Sequence, residues 1–261
     1  MKTGKTIPAF SLDNPGVYVP TSWQEVGEGH YAALMELLSL HDAPTAKLLA
    51  FLLLAGIKVL ADHGADRKVV SVEGVVCSVD KRTLAMGAEE VSFILTPPDY
   101  PRRFDEWEGA KARDAEFHGV PFGIWLQAEG IWQQHLAELE AAPEDVASPT
   151  VVSDHSEALA RLLYPGLPEG FRSSPTFHTM MFCWMCGLKQ YFAALFPHLF
   201  RKKGSAAEIV AELRDITFSQ LRALTGGDIT KEEDVLNADT WSALSELNAK
   251  AREAEEMNRE K

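Results

Sequence analysis

Apolar positions along this 261-residue chain recur mostly at helical spacing. From His30 onward, Tyr31, Leu34, Leu37 and Leu38 share one helical face. After "HDAPT" a second helix is predicted from Ala46 to Leu60, with leucines on several faces, as in a buried element. Upstream, "VYVPTSWQEV" reads as an extended piece entering a helix through a capping box of Ser22 and Glu25. Only one segment has a clear period of two: "KVVSVEGVVCSVD" (68–80) alternates around Gly74 and predicts a hairpin. Residues 88–95 favour a short helix ended by "TPPDYP", and 99–119 read as polar loop.

The second half is more strongly helical. Pro121 suits the first turn of a helix whose stripe is Phe122, Trp125, Leu126, Trp132, Leu136 and Leu139. A polar linker (140–150) follows, then Asp154 and Glu157 as caps for "EALARLL". Ser174-Pro175 opens a helix running to Phe196 whose first half is apolar all round, so it belongs at the centre of a bundle. Ser205 with Glu208 and Thr230 with Glu233 are spaced as further capping boxes, and "TGG" should stop helix 206–224.

A last helix, 239–257, carries Trp241, Leu244 and Leu247 before turning wholly polar. The expectation is a mainly α fold: a multi-helix bundle with a small β-hairpin element in a main domain, 1–200, followed by a C-terminal helical appendage, 205–261. An apolar edge as narrow as Trp241, Leu244 and Leu247 cannot hold a helix alone. Those three are therefore the candidate partner-binding residues, the partner being another protein or the chain's own main domain.

Composition narrows the function. A formal charge of −13 disfavours diffuse attraction to nucleic acid or anionic lipid, and the basic clusters Arg102-Arg103 and Arg201-Lys202-Lys203 are too small to reverse it. The apolar runs 48–57 and 176–188 fall short of the roughly 20 residues that span a bilayer. Three cysteines make no disulfide framework and no charged-then-apolar leader is evident, so a cytoplasmic location is expected.

Cys183 and Cys186 match CxxC, but a redox pair belongs at a helix N-terminus, and these lie inside a helix without metal-ligand spacing to His178, His198 or Cys77. They read as core. His30, His41-Asp42 and Asp62-His63 superficially suggest a metal phosphohydrolase, yet His41-Asp42 reads as a helix-ending loop. "GKT" (4–6) and "GEGH" (27–30) lack the glycines of a phosphate loop, and no GxSxG or HExxH is present. Neither catalytic residues, nor a cofactor, nor a metal is expected. The Met- and Phe-rich interior could also present an adaptable groove to a partner helix.

"VPTSWQEVGEGHY", "VPFGIWLQAEGIW", "LARLLYPG", "LFPHLF" and above all the tail "ALTGGDITKEEDVLNADTWSALSELNAKAREAEE" resemble a group of tailed-phage and prophage proteins encoded among the tail genes. The resemblance touches about half the chain and includes no catalytic signature. By genomic setting the group is similar to tail-assembly chaperones, which hold the tape-measure protein before the tail tube forms. What it implies is a non-enzymatic, cytoplasmic tail-morphogenesis protein that binds a tape-measure-like helical client. Two other roles stay open: a virion structural subunit such as a head–tail connector or tail terminator, and a small metal-dependent hydrolase.

Overall fold

The computed structural model describes residues 5–7, 17–141, 154–200 and 206–259. It is 61% helical with a small three-stranded antiparallel sheet, which makes it mainly α. Two compact units divide the chain, Met1–Pro97 and Pro98–Lys261. The boundary expected between 200 and 205 falls inside the second unit. The linker 142–150 and the "RKKG" stretch lie outside the described residues.

In the first unit β1 (Lys5–Ile7) pairs antiparallel with β2 (Val17–Val19), and a single helical turn, Trp23–Glu25, precedes α1 (Glu28–Leu40). The predicted Ser22 cap does not form. Glu25 Oε2 instead accepts from the Thr21 amide and hydroxyl at 2.7 and 3.2 Å. Helix α2 (Ala43–Leu54) is capped by Asp42, whose carboxylate accepts from the Thr45 amide at 2.9 Å.

Helix α2 stops short of the predicted Leu60. Gly56 adopts a left-handed φ of 65°, which ends a helix without the steric penalty of a Cβ. The chain then runs out as β3 (Ile57–His63). Beta-branched Ile57 and Val59 pair there with Val72 and Val70 of β4 (Arg67–Val72). The predicted hairpin is β4 with β5 (Val75–Asp80), turning at Glu73 and Gly74, whose φ angles are 49° and 87°.

Asp80 then caps α3 (Lys81–Glu89), bonding the Thr83 amide at 2.7 Å, and a single turn, Ser92–Leu95, follows where a helix over 88–95 was predicted. Gly87 lets α3 approach α2 closely, since a Cβ there would lie 2.6 and 2.8 Å from ring carbons of buried Phe51. Trp23 ties the end of this unit to its start, donating its indole N–H to Thr96 O at 2.7 Å with edge contacts to Tyr31 and Phe93.

The second unit opens with a long loop holding only the short pair β6 (Glu106–Trp107) and β7 (Ala110–Lys111) among its described residues. It continues through α4 (Phe122–Ala141), α5 (Asp154–Leu163), α6 (Pro175–Leu195), α7 (Ala206–Thr225), α8 (Glu232–Asn237) and α9 (Thr240–Arg259). Ser174 caps α6 by accepting from the Phe177 amide at 3.1 Å, with Pro175 at the first position as predicted. Phe177, Met180, Met181, Trp184, Leu188 and Phe192 are all buried, the interior role its apolar sequence demanded.

Gly226 and Gly227, at φ 65° and 86°, stop α7 as "TGG" foretold. Two capping expectations give way to neighbours. Asp228, not a Thr230–Glu233 box, bonds the Thr230 amide at 3.1 Å, while Glu157 takes Arg172 and the Ser173 amide at 3.1 and 3.2 Å. The Asp154 side chain and the Ser205–Glu208 box lie outside the described residues.

Helix α4 is the common neighbour of α5, α7, α8 and α9. The start of α9 is pinned to the start of α4: Thr240 donates from its amide and hydroxyl to Val120 O at 2.9 and 2.7 Å, and the Phe122 amide donates to Ala238 O at 2.8 Å.

Candidate functional site

An open groove of about 850 Å3 runs between α4, α7 and α9 in the second unit. Its size falls within the range of ordinary ligand clefts. The apolar floor is built from Trp125 and Leu126 on α4, Leu199 and Phe200 after α6, Ile216 and Ala223 on α7, and Leu247 on α9. Local sequence explains how the wall after α6 is placed. Pro197 prevents α6 from continuing, and the "LFPHLF" turn is fastened to α9, where Asn248 Oδ1 accepts from the His198 and Leu199 amides at 2.9 and 3.2 Å. The His198 ring lies 3.2 Å from Glu255 Oε2.

A cation is embedded in the apolar floor. Lys189 Nζ sits 4.8 Å from the Phe200 ring centre and 5.5 Å from that of Trp125, while bonding Glu129 Oε1. Gln133 donates to the same oxygen at 2.8 Å. Glu129 Oε2 is shielded from solvent and has no hydrogen-bond partner among the described residues. A buried acceptor without a donor is costly, so the bonds from Lys189 and Gln133 to Oε1 carry the compensation for burying this carboxylate.

The three predicted partner-binding residues are used largely within the unit. Trp241 stacks on His118 with ring centres 4.2 Å apart and donates its N–H to Glu116 O at 2.7 Å. Leu244 is fully buried, and Leu247, 5% exposed, borders the groove floor. The helix edge that had to dock on something docks on its own chain, and the outer surface of α9 carries charge instead.

The other chemistry noted in the sequence is dispersed. Asp42 is a helix cap, and Asp62 pairs with Lys68 at 2.7 Å. Cys183 and Cys186 lie inside α6. Burial and the neighbouring Cys186 push the Cys183 thiol up to about 12, and burial alone does the same to Cys186. Thiolates are the reactive form, so both should react on the order of a thousand-fold more slowly than an unperturbed thiol. Labelling with a thiol reagent at pH 8, read by mass spectrometry, is expected to mark Cys77 in the native protein and the other two only after unfolding. Prompt labelling of Cys186 would contradict this.

Among the described residues no group of three or more His, Cys, Asp or Glu is arranged to hold a metal ion. Also among them, no helix is long and apolar enough to cross a membrane.

Two features escape the sequence pattern. The groove is formed by helices distant in the chain, and only the apolar stripe on α4 hinted at one wall. A second cluster gathers His135 of α4, His155 of α5 and His178 of α6 around a small cavity. Its one sequence signal is a pair of histidines within otherwise apolar helical faces. No family model, no curated protein and no solved structure matches the chain.

Proposed function

We propose that this protein works by binding, without catalysis, and that the groove between α4, α7 and α9 receives a helical segment of a client protein. The observation that carries the reading is the groove itself: an open apolar trough floored by aromatic and aliphatic side chains, with Lys189 and Glu129 set in it as polar anchors. An amphipathic helix laid in such a trough buries its apolar face against the floor and leaves its polar face in water. Taken with the resemblance of the tail segment, the client is a tape-measure-like helical protein. The role is then that of a tail-assembly-chaperone-like factor acting in the host cytoplasm. On this reading α7 to α9 form the gripping half of a helical bundle, the appendage that supplies two walls of the trough.

Co-expression with the tape-measure protein encoded beside it tests this. Wild-type protein should keep the client soluble, and Ala223→Trp, which fills the trough from α7, should abolish that effect while leaving the far-ultraviolet circular dichroism unchanged. Client solubility that survives the substitution would remove the groove from the reading.

A second reading, a structural subunit of the virion, is favoured by the exposed apolar side chains of the small sheet, Val59, Leu60, Val75 and Val76. Purified particles separate the two. A chaperone is absent from them, whereas a structural subunit is present at ring stoichiometry.

A further inference from the structure

A second cleft, of about 470 Å3, opens between α4, α7 and α8 and meets the trough at Leu126 and Thr217, which line both. Its volume is that of a small-molecule site. Apolar walls come from Ile124 and Leu126 on α4, Leu221 on α7 and Leu236 on α8. Gln127, Thr217 and Asn237 add neutral hydrogen-bonding groups, and among the described residues that line the cleft the one with a charge is Arg113. Acidic residues outnumber basic ones 38 to 25 in this chain, so a cleft lined by a guanidinium and, among the described residues, no carboxylate runs against the average surface. The acids of α8, Glu232, Glu233 and Asp234, stand on its first turn, whereas the cleft takes Leu236 and Asn237 from its end.

Arg113 is held in place. Its amide donates to Leu163 O at 2.8 Å and its Nε to Leu162 O at 2.9 Å, both at the end of α5, and its own carbonyl accepts from Arg103. Those bonds use the backbone and Nε. Among the described residues Nη1 and Nη2 have neither a hydrogen-bond acceptor nor an ion-pair partner. A guanidinium fixed through Nε still offers its Nη1–Nη2 edge, a planar pair of donors that matches the two oxygens of a carboxylate. Less side-chain entropy then remains to be lost on binding.

We propose that this cleft, independently of any helical client, binds a small amphiphilic carboxylate: Arg113 takes the carboxylate end-on through Nη1 and Nη2, and Ile124, Leu126, Leu221 and Leu236 cover the apolar body. A carboxylate without that body leaves the walls in water, and an apolar cation of the same shape is repelled by the guanidinium.

Nuclear magnetic resonance titration of the full-length protein with sodium octanoate, octylammonium chloride and sodium acetate tests this, read from the Arg113 Nε–H and the amides of α4 and α8. Octanoate should saturate the site below its micelle-forming concentration. It should bind at least about tenfold more tightly than octylammonium or acetate, a margin that a charge-assisted hydrogen bond or a few buried methylenes supply. Arg113→Gln should remove the preference for octanoate over octylammonium. Gln127→Glu, which sets a carboxylate on the cleft wall and leaves the α5 contacts intact, should do the same if the arginine variant fails to fold. Ala223→Trp fills the trough and should leave octanoate affinity unchanged. No saturable octanoate binding, equal affinity for octylammonium or acetate, a preference that survives in the folded variant, or loss of octanoate binding in Ala223→Trp would each overturn the assignment.

Discussion

Gly187→Ala is expected to destabilise the second unit by about 3 kcal/mol, the upper end of what overpacking usually costs, although it adds only one methyl group. Gly187 lies in the middle of α6, where glycine is normally a liability and alanine would stabilise a helix by up to ~1 kcal/mol. Here the missing side chain is what allows the loop before β6 to cross the helix. A Cβ would collide with the Tyr100 carbonyl oxygen and come within 2.8 Å of its carbon and 3.1 Å of Pro98 O. Backbone cannot swing aside as a side-chain tip can, so loop or helix must move. Urea denaturation of wild type and variant measures the loss, and a gain in stability would show that the loop does not lie there.

Trp184→Ala should cost more, about 3–5 kcal/mol. The side chain is fully buried in α6 and stacks on Phe117 with ring centres 6.0 Å apart and planes 13° from parallel. Its indole N–H donates to Ala115 O at 3.0 Å, so truncation also leaves a carbonyl without its donor. The third contribution is electrostatic. Arg103 is 5% exposed, and its guanidinium carbon lies 5.3 Å from the ring centres of both Trp184 and Tyr164. Among the described residues its Nε and Nη1 have no hydrogen-bond partners, while Nη2 donates to Arg113 O, so that carbonyl and the two aromatic faces together compensate for burying this cation. Trp184→Phe keeps a face but loses the N–H, and should fall between wild type and alanine. If the alanine variant unfolds at the wild-type urea midpoint, the aromatic core described around Arg103 is wrong.

How much of this was legible follows from what each element depends on. Helix α6 could be placed from its residues alone because Ser174-Pro175 is a local start signal and its apolar surface is continuous. The glycine stop of α7 and the hairpin around Gly74 are local for the same reason. The failures are equally physical. The run 48–57 is apolar throughout, and period alone does not distinguish a buried helix from a helix passing into a strand. The left-handed turn at Gly56 decided it. Ser22, Glu157 and Thr230 carried capping spacing, but each competed with a neighbour better placed in three dimensions.

The groove and the histidine cavity are tertiary by construction: the groove joins α4 to the much later α7 and α9, and the cavity takes one histidine from each of α4, α5 and α6. Trp241, Leu244 and Leu247 read in the sequence as an edge that had to dock on something. Sequence alone left open whether the surface receiving it was foreign, and Val120, His118 and Glu116 supply it from within.

The most direct test of the binding account is a hydrogen-exchange footprint of the protein alone and in complex with its helical client. The account predicts new protection confined to the walls of the trough: α4 around Trp125–Gln133, the later turns of α7, and α9 around Leu247–Ala251. A footprint on the β3–β4–β5 sheet, with α4, α7 and α9 unchanged, would contradict it.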